Sequence, residues 1–139
     1  MNSTENTVFK ATSSSMYQFP KVLIVEDEQL VSWSLSQALS KAGFDIITVN
    51  NGELAIEKLK TGHFDLVITD FELPKINGFA VASEVKLYSP TVPVILTSAI
   101  SANDSRMPNH QENIDFFIEK PYDLNEVKDL VFQLLSEKK

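Results

Sequence analysis

The chain has 139 residues, 43% of them hydrophobic and 22% charged, with a formal net charge of -7, values that fit one globular domain with a real core plus a tail. The acidic balance disfavours a nucleic-acid surface, which needs a basic stripe. The lack of cysteine excludes a disulfide framework and thiolate chemistry, and no apolar run approaches the length of a membrane span. The N-terminus shows no basic-then-apolar signal pattern, so a cytoplasmic location is the expectation.

Residues 1–19 are rich in Ser, Thr and Asn, with Val8, Phe9, Tyr17 and Phe19 scattered among them without a period. They read as a flexible N-terminal extension, the alternative being a docking segment that folds over the domain of residues 20–139. From Pro20 an alternation begins. A strand over 21–26 gives way to a helix over 29–42, with Val31, Leu35, Ala38, Leu39 and Ala42 on one face and Gly43 closing it. Phe44 to Val49 is a second strand, and Asn51 starts a second helix with Ala55, Ile56 and Leu59 inward and Gly62 as its stop. The third strand, 65–70, runs into a loop through Pro74. Helix three spans Gly78 to Leu87 and is expected to bury Phe79, Ala82 and Val85.

The fourth strand is 92–97 and the fifth 115–119. Between them, residues 101–113 are almost without apolar side chains and carry Pro108, so at most one or two helical turns are expected before that proline. The last helix follows Pro121, with Asp123 as N-cap, Glu126 completing a capping-box pattern, and Leu124, Val127, Val131 and Leu134 at helical spacing. Leu130 and Leu135 flank that stripe.

The strands are continuous apolar runs, so both of their faces are covered. Strand-helix repeats of this kind give a parallel sheet with helices on either side, and right-handed crossovers make a five-stranded doubly wound α/β sheet the economical topology. Sites in such sheets lie beyond the carboxyl ends of the strands, where strand order reverses. Glu26 and Asp27, Asp70, Ser98 and Lys120 each follow a different apolar run and therefore meet at that rim.

Three carboxylates drawn together repel one another, and without a cation at least one of them has a raised pKa. An all-oxygen site with few protein ligands suits Mg²⁺ better than Zn²⁺. Taken singly, each acid could merely cap a helix N-terminus. Three acids opposite a lysine point instead to a phosphoryl group, with Asp70 as nucleophile, Mg²⁺ and Lys120 neutralising charge, and Ser98 bonding one oxygen.

The VEDE run at 25–28, the TDFELP run around Asp70, Ser98-Ala99 after the fourth strand and Lys120-Pro121 together resemble the receiver domain of bacterial two-component response regulators. The resemblance covers residues 21–137 and is highly specific because the whole set is in register. It implies the CheY-like, flavodoxin-like (βα)5 fold with strand order 2-1-3-4-5 and phosphorylation of Asp70 by a histidine kinase or histidine phosphotransfer protein. By the same resemblance Asp27, Asp70 and the backbone carbonyl of Glu72 would bind Mg²⁺, and Glu26 would act largely through water. Ser98 would hold the Ser/Thr switch position and Phe117 the switch-aromatic position. The Lys120–Pro121 bond would be cis.

Departures from the pattern are informative. Glu26 stands where an aspartate is more usual, and Phe117 lacks the hydroxyl of the frequent tyrosine, making its rotamer switch purely steric. Glu72 and Ile100 flank the phosphoryl pocket, where the first repels and the second hinders an attacking water, so a long-lived aspartyl phosphate is expected. The polar 101–113 segment implies either output through another surface or ordering on phosphorylation.

Trp33 lies opposite the inward face of the first helix and is either a partner anchor or covered by the extension or another helix. His63 and His110 lack metal-ligand spacing and read as surface residues. Two other functions compete with the phosphoacceptor reading. A haloacid-dehalogenase-like phosphatase would need an aspartate two residues after its nucleophile, where Glu72 stands. A pseudo-receiver that binds partners without phosphorylation is at odds with the complete acid, hydroxyl and lysine set. No output-domain motif is visible, and a phosphorylation-dependent dimer is left open.

Overall fold

The computed structural model describes residues 19–136, so the expected extension falls outside the described residues except for Phe19. The elements are β1 (Lys21–Val25), α1 (Gln29–Lys41), β2 (Asp45–Val49), α2 (Gly52–Thr61), β3 (Leu66–Asp70), α3 (Gly78–Tyr88), β4 (Val94–Ser98), β5 (Phe116–Glu119) and α4 (Leu124–Ser136). All strand pairs are parallel and the order is β2-β1-β3-β4-β5, as expected.

Alternation of side chains along each strand splits the core into two layers. Val22, Ile24, Leu66, Ile68 and Ile95 face α1 and α4, where Leu35, Leu39, Val127, Leu130 and Val131 cover them. Leu23, Val25, Val67 and Val94 face the other way, toward Ala55 of α2 and Val81, Ala82 and Val85 of α3. β3 and β4 are buried over their whole length, whereas the edge strands β2 and β5 are partly exposed. Continuous apolar sequence is what a strand covered on both faces requires.

Local signals set the helix ends. Asn51 caps α2 by accepting from the Leu54 amide at 2.8 Å, and Asn77 caps α3 by accepting from Phe79 and Ala80 at 2.9 and 3.1 Å. Gly43 follows α1 with φ 103°, a left-handed turn that glycine takes without a Cβ clash. Asp123 accepts from the Asn125 amide at 2.8 Å at the start of α4.

One expectation is corrected. Phe79 is only half-buried, and Val81 takes the inward place. Phe79 stands in the first turn, where its ring meets Phe71 edge-on at 5.6 Å, so the inward stripe begins at Val81 and continues to Ala82 and Val85. Residues 101–113 form turns and no helix, within the expected limit of one or two helical turns. Ser101 accepts from the Asn103 amide at 3.2 Å and Asp104 from the Arg106 amide at 2.9 Å. Such short side-chain turns take the place of a helical ladder. Met107, 5% exposed, pins the segment to the body, and the Gln111 amide donates to the carbonyls of Ala102 and Pro108 at 3.2 and 3.3 Å.

Gly78 packs more tightly than its sequence position announces. A Cβ there would stand 2.3 Å from the Asp70 carbonyl oxygen and 2.7 Å from a Leu96 methyl. The carbonyl is backbone and cannot yield without moving the end of β3, and the methyl belongs to a fully buried core side chain of β4. Gly78→Ala is therefore expected to destabilise the domain by about 1–3 kcal/mol through overpacking, read as a lowered urea midpoint.

Candidate phosphoryl site at the carboxyl rim

Strand register places the chemistry. Val25 is level with Thr69, Asp70 with Thr97, and Ser98 with Glu119. Glu26, Asp70, Ser98 and Lys120 therefore emerge at one end of the sheet, stitched by backbone bonds from Phe71 to Thr97 at 2.8 Å and from Lys120 to Ser98 at 2.7 Å. The Lys120–Pro121 peptide is cis.

The Lys120 ammonium is the hub. Its Nζ lies 3.0 Å from Glu26 Oε1, 3.3 Å from Asp70 Oδ2 and 3.4 Å from Glu28 Oε1. The second oxygen of Glu26 accepts from the Glu28 amide at 3.0 Å. Glu26 and Asp70 are almost wholly buried, and Asp27 is exposed at the rim. Burial first, and then the Glu26 charge, push the Asp70 carboxyl up to about 7 against the opposing pull of Lys120. Burial works against the Lys120 ammonium, but its bond to Glu26 and the charges of Asp70 and Glu26 outweigh that, so its pKa lies above the usual value. Burial also pushes the nearby Tyr122 hydroxyl up to about 12, with Glu26 adding to the effect.

One oxygen from each of Glu26, Asp27 and Asp70 lies within 4.8 Å of the other two. Asp70 Oδ1 is buried without a hydrogen-bond partner among the described residues. An orphaned anionic oxygen beside two further carboxylates is what a hard divalent cation satisfies, so the donor set fits Mg²⁺.

Ser98 is fully buried, and its Oγ accepts from the Ile100 amide at 3.0 Å. It donates to Glu72 Oε2 at 3.4 Å, and the Ala99 amide donates to Glu72 Oε1 at 3.4 Å. Glu72 is exposed and Ile100 half-buried beside it. Phe117 sits on β5 level with Leu96, half-buried. Thus the structure brings Glu26, Asp27, Asp70, Ser98 and Lys120 to one rim. Sequence reasoning missed three neighbours: Glu28 as a third carboxylate on Lys120, Tyr122 against the acids, and Gly78 against the Asp70 backbone. Only Gly78 left a signal, as the glycine directly after a capping asparagine.

Away from this rim, His63 is exposed beside Asp65 at 3.2 Å and His110 is exposed 3.9 Å from Glu112. Trp33 is 61% exposed on α1, and it lines a hollow with Glu26, Asp27, Asn50 and Leu54. Among the described residues no helix is long and apolar enough to cross a membrane.

A five-stranded 2-1-3-4-5 sheet with an acidic rim and an inward lysine defines a CheY-like signalling domain. The chain belongs to the response regulator receiver domain family of two-component systems, whose match spans residues 22–132. It is 30% identical over 115 residues to the DNA-binding transcriptional regulator NtrC of Escherichia coli, covering 83% of this chain and 24% of that protein. It is 31% identical over 120 residues to the autoinducer 1 sensor kinase/phosphatase LuxN of Vibrio campbellii, covering 86% of this chain and 14% of LuxN. The chain thus spans a quarter or less of the length of these relatives. Among solved structures it resembles the response regulator TrrA of Thermotoga maritima in complex with Mg²⁺-BeF, with 33% identity and a TM-score of 0.75, covering 84% of this chain and 99% of that one.

Proposed function

We propose that this chain is a phosphoacceptor switch, with residues 20–139 as its receiver domain, taking a phosphoryl group onto Asp70 from a histidine kinase or histidine phosphotransfer protein. The observation that carries this reading is the Asp70 carboxyl, with Oδ1 buried and unpartnered among the described residues, one oxygen within 4.8 Å of carboxylate oxygens of Glu26 and Asp27, and Oδ2 held by Lys120 at 3.3 Å.

In this reading Asp27, Asp70 and the Glu72 backbone carbonyl hold Mg²⁺, with Glu26 acting through water. When bound, the cation supplies charge neutralisation for the phosphoryl oxygens. Asp70 attacks the phosphorus of the donor phosphohistidine, so an O–P bond forms as the N–P bond breaks, and the leaving imidazole nitrogen takes a proton. The Lys120 ammonium compensates the growing negative charge. Ser98 donates its hydroxyl to a phosphoryl oxygen, and Phe117 on the neighbouring strand repacks in response. The Mg²⁺–BeF complex of TrrA supports the same cofactor and chemistry here. Trp33 and Leu30, 61% and 75% exposed on α1 beside the rim, support donor docking on that helix. The output partner lies beyond this chain's own chemistry, and a cytoplasmic setting follows from a cytoplasmic phosphodonor.

The test is intact mass. With acetyl phosphate and Mg²⁺ the protein gains one phosphoryl group, and with EDTA it does not. No gain in the folded, Mg²⁺-supplied protein would sink the reading and leave a pseudo-receiver.

The lifetime of the product carries a second expectation. Ile100 stands beside the phosphoryl pocket, and shortening it opens a path for water. Ile100→Ala is expected to speed loss of the phosphoryl group by about tenfold, roughly 1.4 kcal/mol in barrier. A parent half-life of only seconds would show that the pocket offers no such protection.

A further inference from the structure

Two donors stand at the end of β4, on the same rim as Asp70, and a side chain already occupies both. The Ser98 hydroxyl and the Ala99 amide donate to the two oxygens of the same Glu72 carboxylate, each at 3.4 Å. The Ile100 amide donates to Ser98 Oγ at 3.0 Å, so that oxygen's acceptor capacity is engaged and its proton is free to turn outward. A hydroxyl and an amide converging on one anion is the arrangement that phosphoryl oxygens require. The carboxylate supplies the same charge sign and the same acceptor type. Its bonds are long and its side chain is exposed, so it is held loosely.

We infer that Glu72 is a resident stand-in for the phosphoryl group: it fills the Ser98 and Ala99 donors in the resting protein and must leave them when Asp70 is phosphorylated. This rests on the phosphoacceptor reading of the site. The consequence is competition. Every phosphoryl group that arrives must first evict a carboxylate from its own donors, which weakens uptake.

Arg106, in the turn-rich 101–113 segment, forks onto Asp104 with two contacts of 2.9 Å. Its guanidinium is held above its usual pKa by the bond to Asp104 first, and the Glu72 charge adds to that.

The experiment separates contact from charge. Beryllofluoride is titrated into the Mg²⁺-loaded protein and followed by the Ala99 amide resonance, for the parent, Glu72→Ala, Glu72→Gln and Glu72→Asp. All three substitutions fall on an exposed side chain and keep the backbone carbonyl. Glu72→Ala removes the competitor and is expected to bind about three- to tenfold more tightly, the worth of a weak charge-assisted hydrogen bond or two. Glu72→Asp keeps the charge but falls one methylene short of the donors, so it is expected to bind nearly as tightly as Glu72→Ala. Glu72→Gln, which keeps an acceptor of the same reach without charge, is expected to lie between parent and Glu72→Ala. In the metal-free protein the Ala99 amide shift is expected to move in Glu72→Ala and Glu72→Asp alike. If Glu72→Asp matches the parent while Glu72→Ala binds more tightly, repulsion alone is at work and the inference fails. Equal affinity in all four proteins also overturns it, leaving the phosphoacceptor reading intact. A folded parent that binds no beryllofluoride at all overturns both.

Discussion

Asp70→Asn is expected to abolish phosphoryl uptake while stabilising the metal-free protein. Loss of uptake follows because an amide oxygen is a poor nucleophile and, among the described residues, Asp70 is the only rim carboxylate held 3.3 Å from Lys120 with a second oxygen left unpartnered. The gain in stability comes from the same burial. The Asp70 carboxyl is pushed from 3.8 up to about 7, chiefly by loss of water and then by Glu26, so the folded state binds its proton more tightly than the unfolded chain does. Between those two values the native protein holds more protons, and stability falls as pH rises through the interval. Asparagine carries no such penalty. The variant is expected to be more stable than the parent by about 1–2 kcal/mol at neutral pH in EDTA, the cost of an unsatisfied buried group, and to lose that segment of pH dependence. Thermal melts in EDTA at acid and neutral pH test this. A parent whose stability climbs steadily over that range would refute the assignment of a raised Asp70. Mg²⁺ is expected to narrow the gap between the two proteins, because it satisfies the orphaned oxygen that asparagine relieves.

Lys120→Met is expected to cut the rate of phosphoryl uptake by about 10²–10³-fold, the usual effect of deleting one preorganised group that stabilises transition-state charge. Its second effect is structural. Lys120 touches Glu26 at 3.0 Å, Asp70 at 3.3 Å and Glu28 at 3.4 Å, and the first two acids are nearly inaccessible to water. Removing the cation leaves uncompensated buried charge, a loss of about 3–5 kcal/mol that protonation of Asp70 partly offsets. Raised Mg²⁺ is expected to recover much of the stability, since it meets the same carboxylates, but little of the rate. Urea titrations with and without Mg²⁺, beside a mass-based rate, separate the two losses. Equal recovery of both would mean that the ammonium has no role of its own in transfer.

How far the sequence carried the reading depends on which forces set each feature. The sheet was legible because a strand covered on both faces has no choice but continuous apolar sequence, as in Val22–Val25 and Leu66–Ile68. The convergence of Glu26, Asp27, Asp70, Ser98 and Lys120 was legible for the same reason: parallel strands in register end together. Contacts that depend on side-chain direction were not. Phe79 fitted the inward stripe by spacing, yet the first turn of α3 turned it toward Phe71 and left Val81 inside. Glu28 drew no reading of its own, because nothing in its neighbourhood along the chain shows that Lys120, 92 positions later, reaches it. The close approach of Gly78 to the Asp70 carbonyl is likewise a matter of packing between elements. The missing helix between β4 and β5 was half legible. Pro108 and the polar composition announced weakness, but the competition that removed the helix was won by individual Ser101 and Asp104 side chains capturing amides two residues on.

That region has a consequence for how the domain divides its stability. A helix melts cooperatively, so damage at one turn is felt along its length. Residues 101–113 are instead a string of independent clasps around Met107, each able to open or be rewritten without unzipping the next. Amides there are expected to exchange with solvent far sooner than those of β3 and β4, and foreign residues spliced in between the clasps to leave the sheet's melting unaltered. The protein thus carries a surface whose identity can drift while the acidic rim and sheet beneath it stay the same.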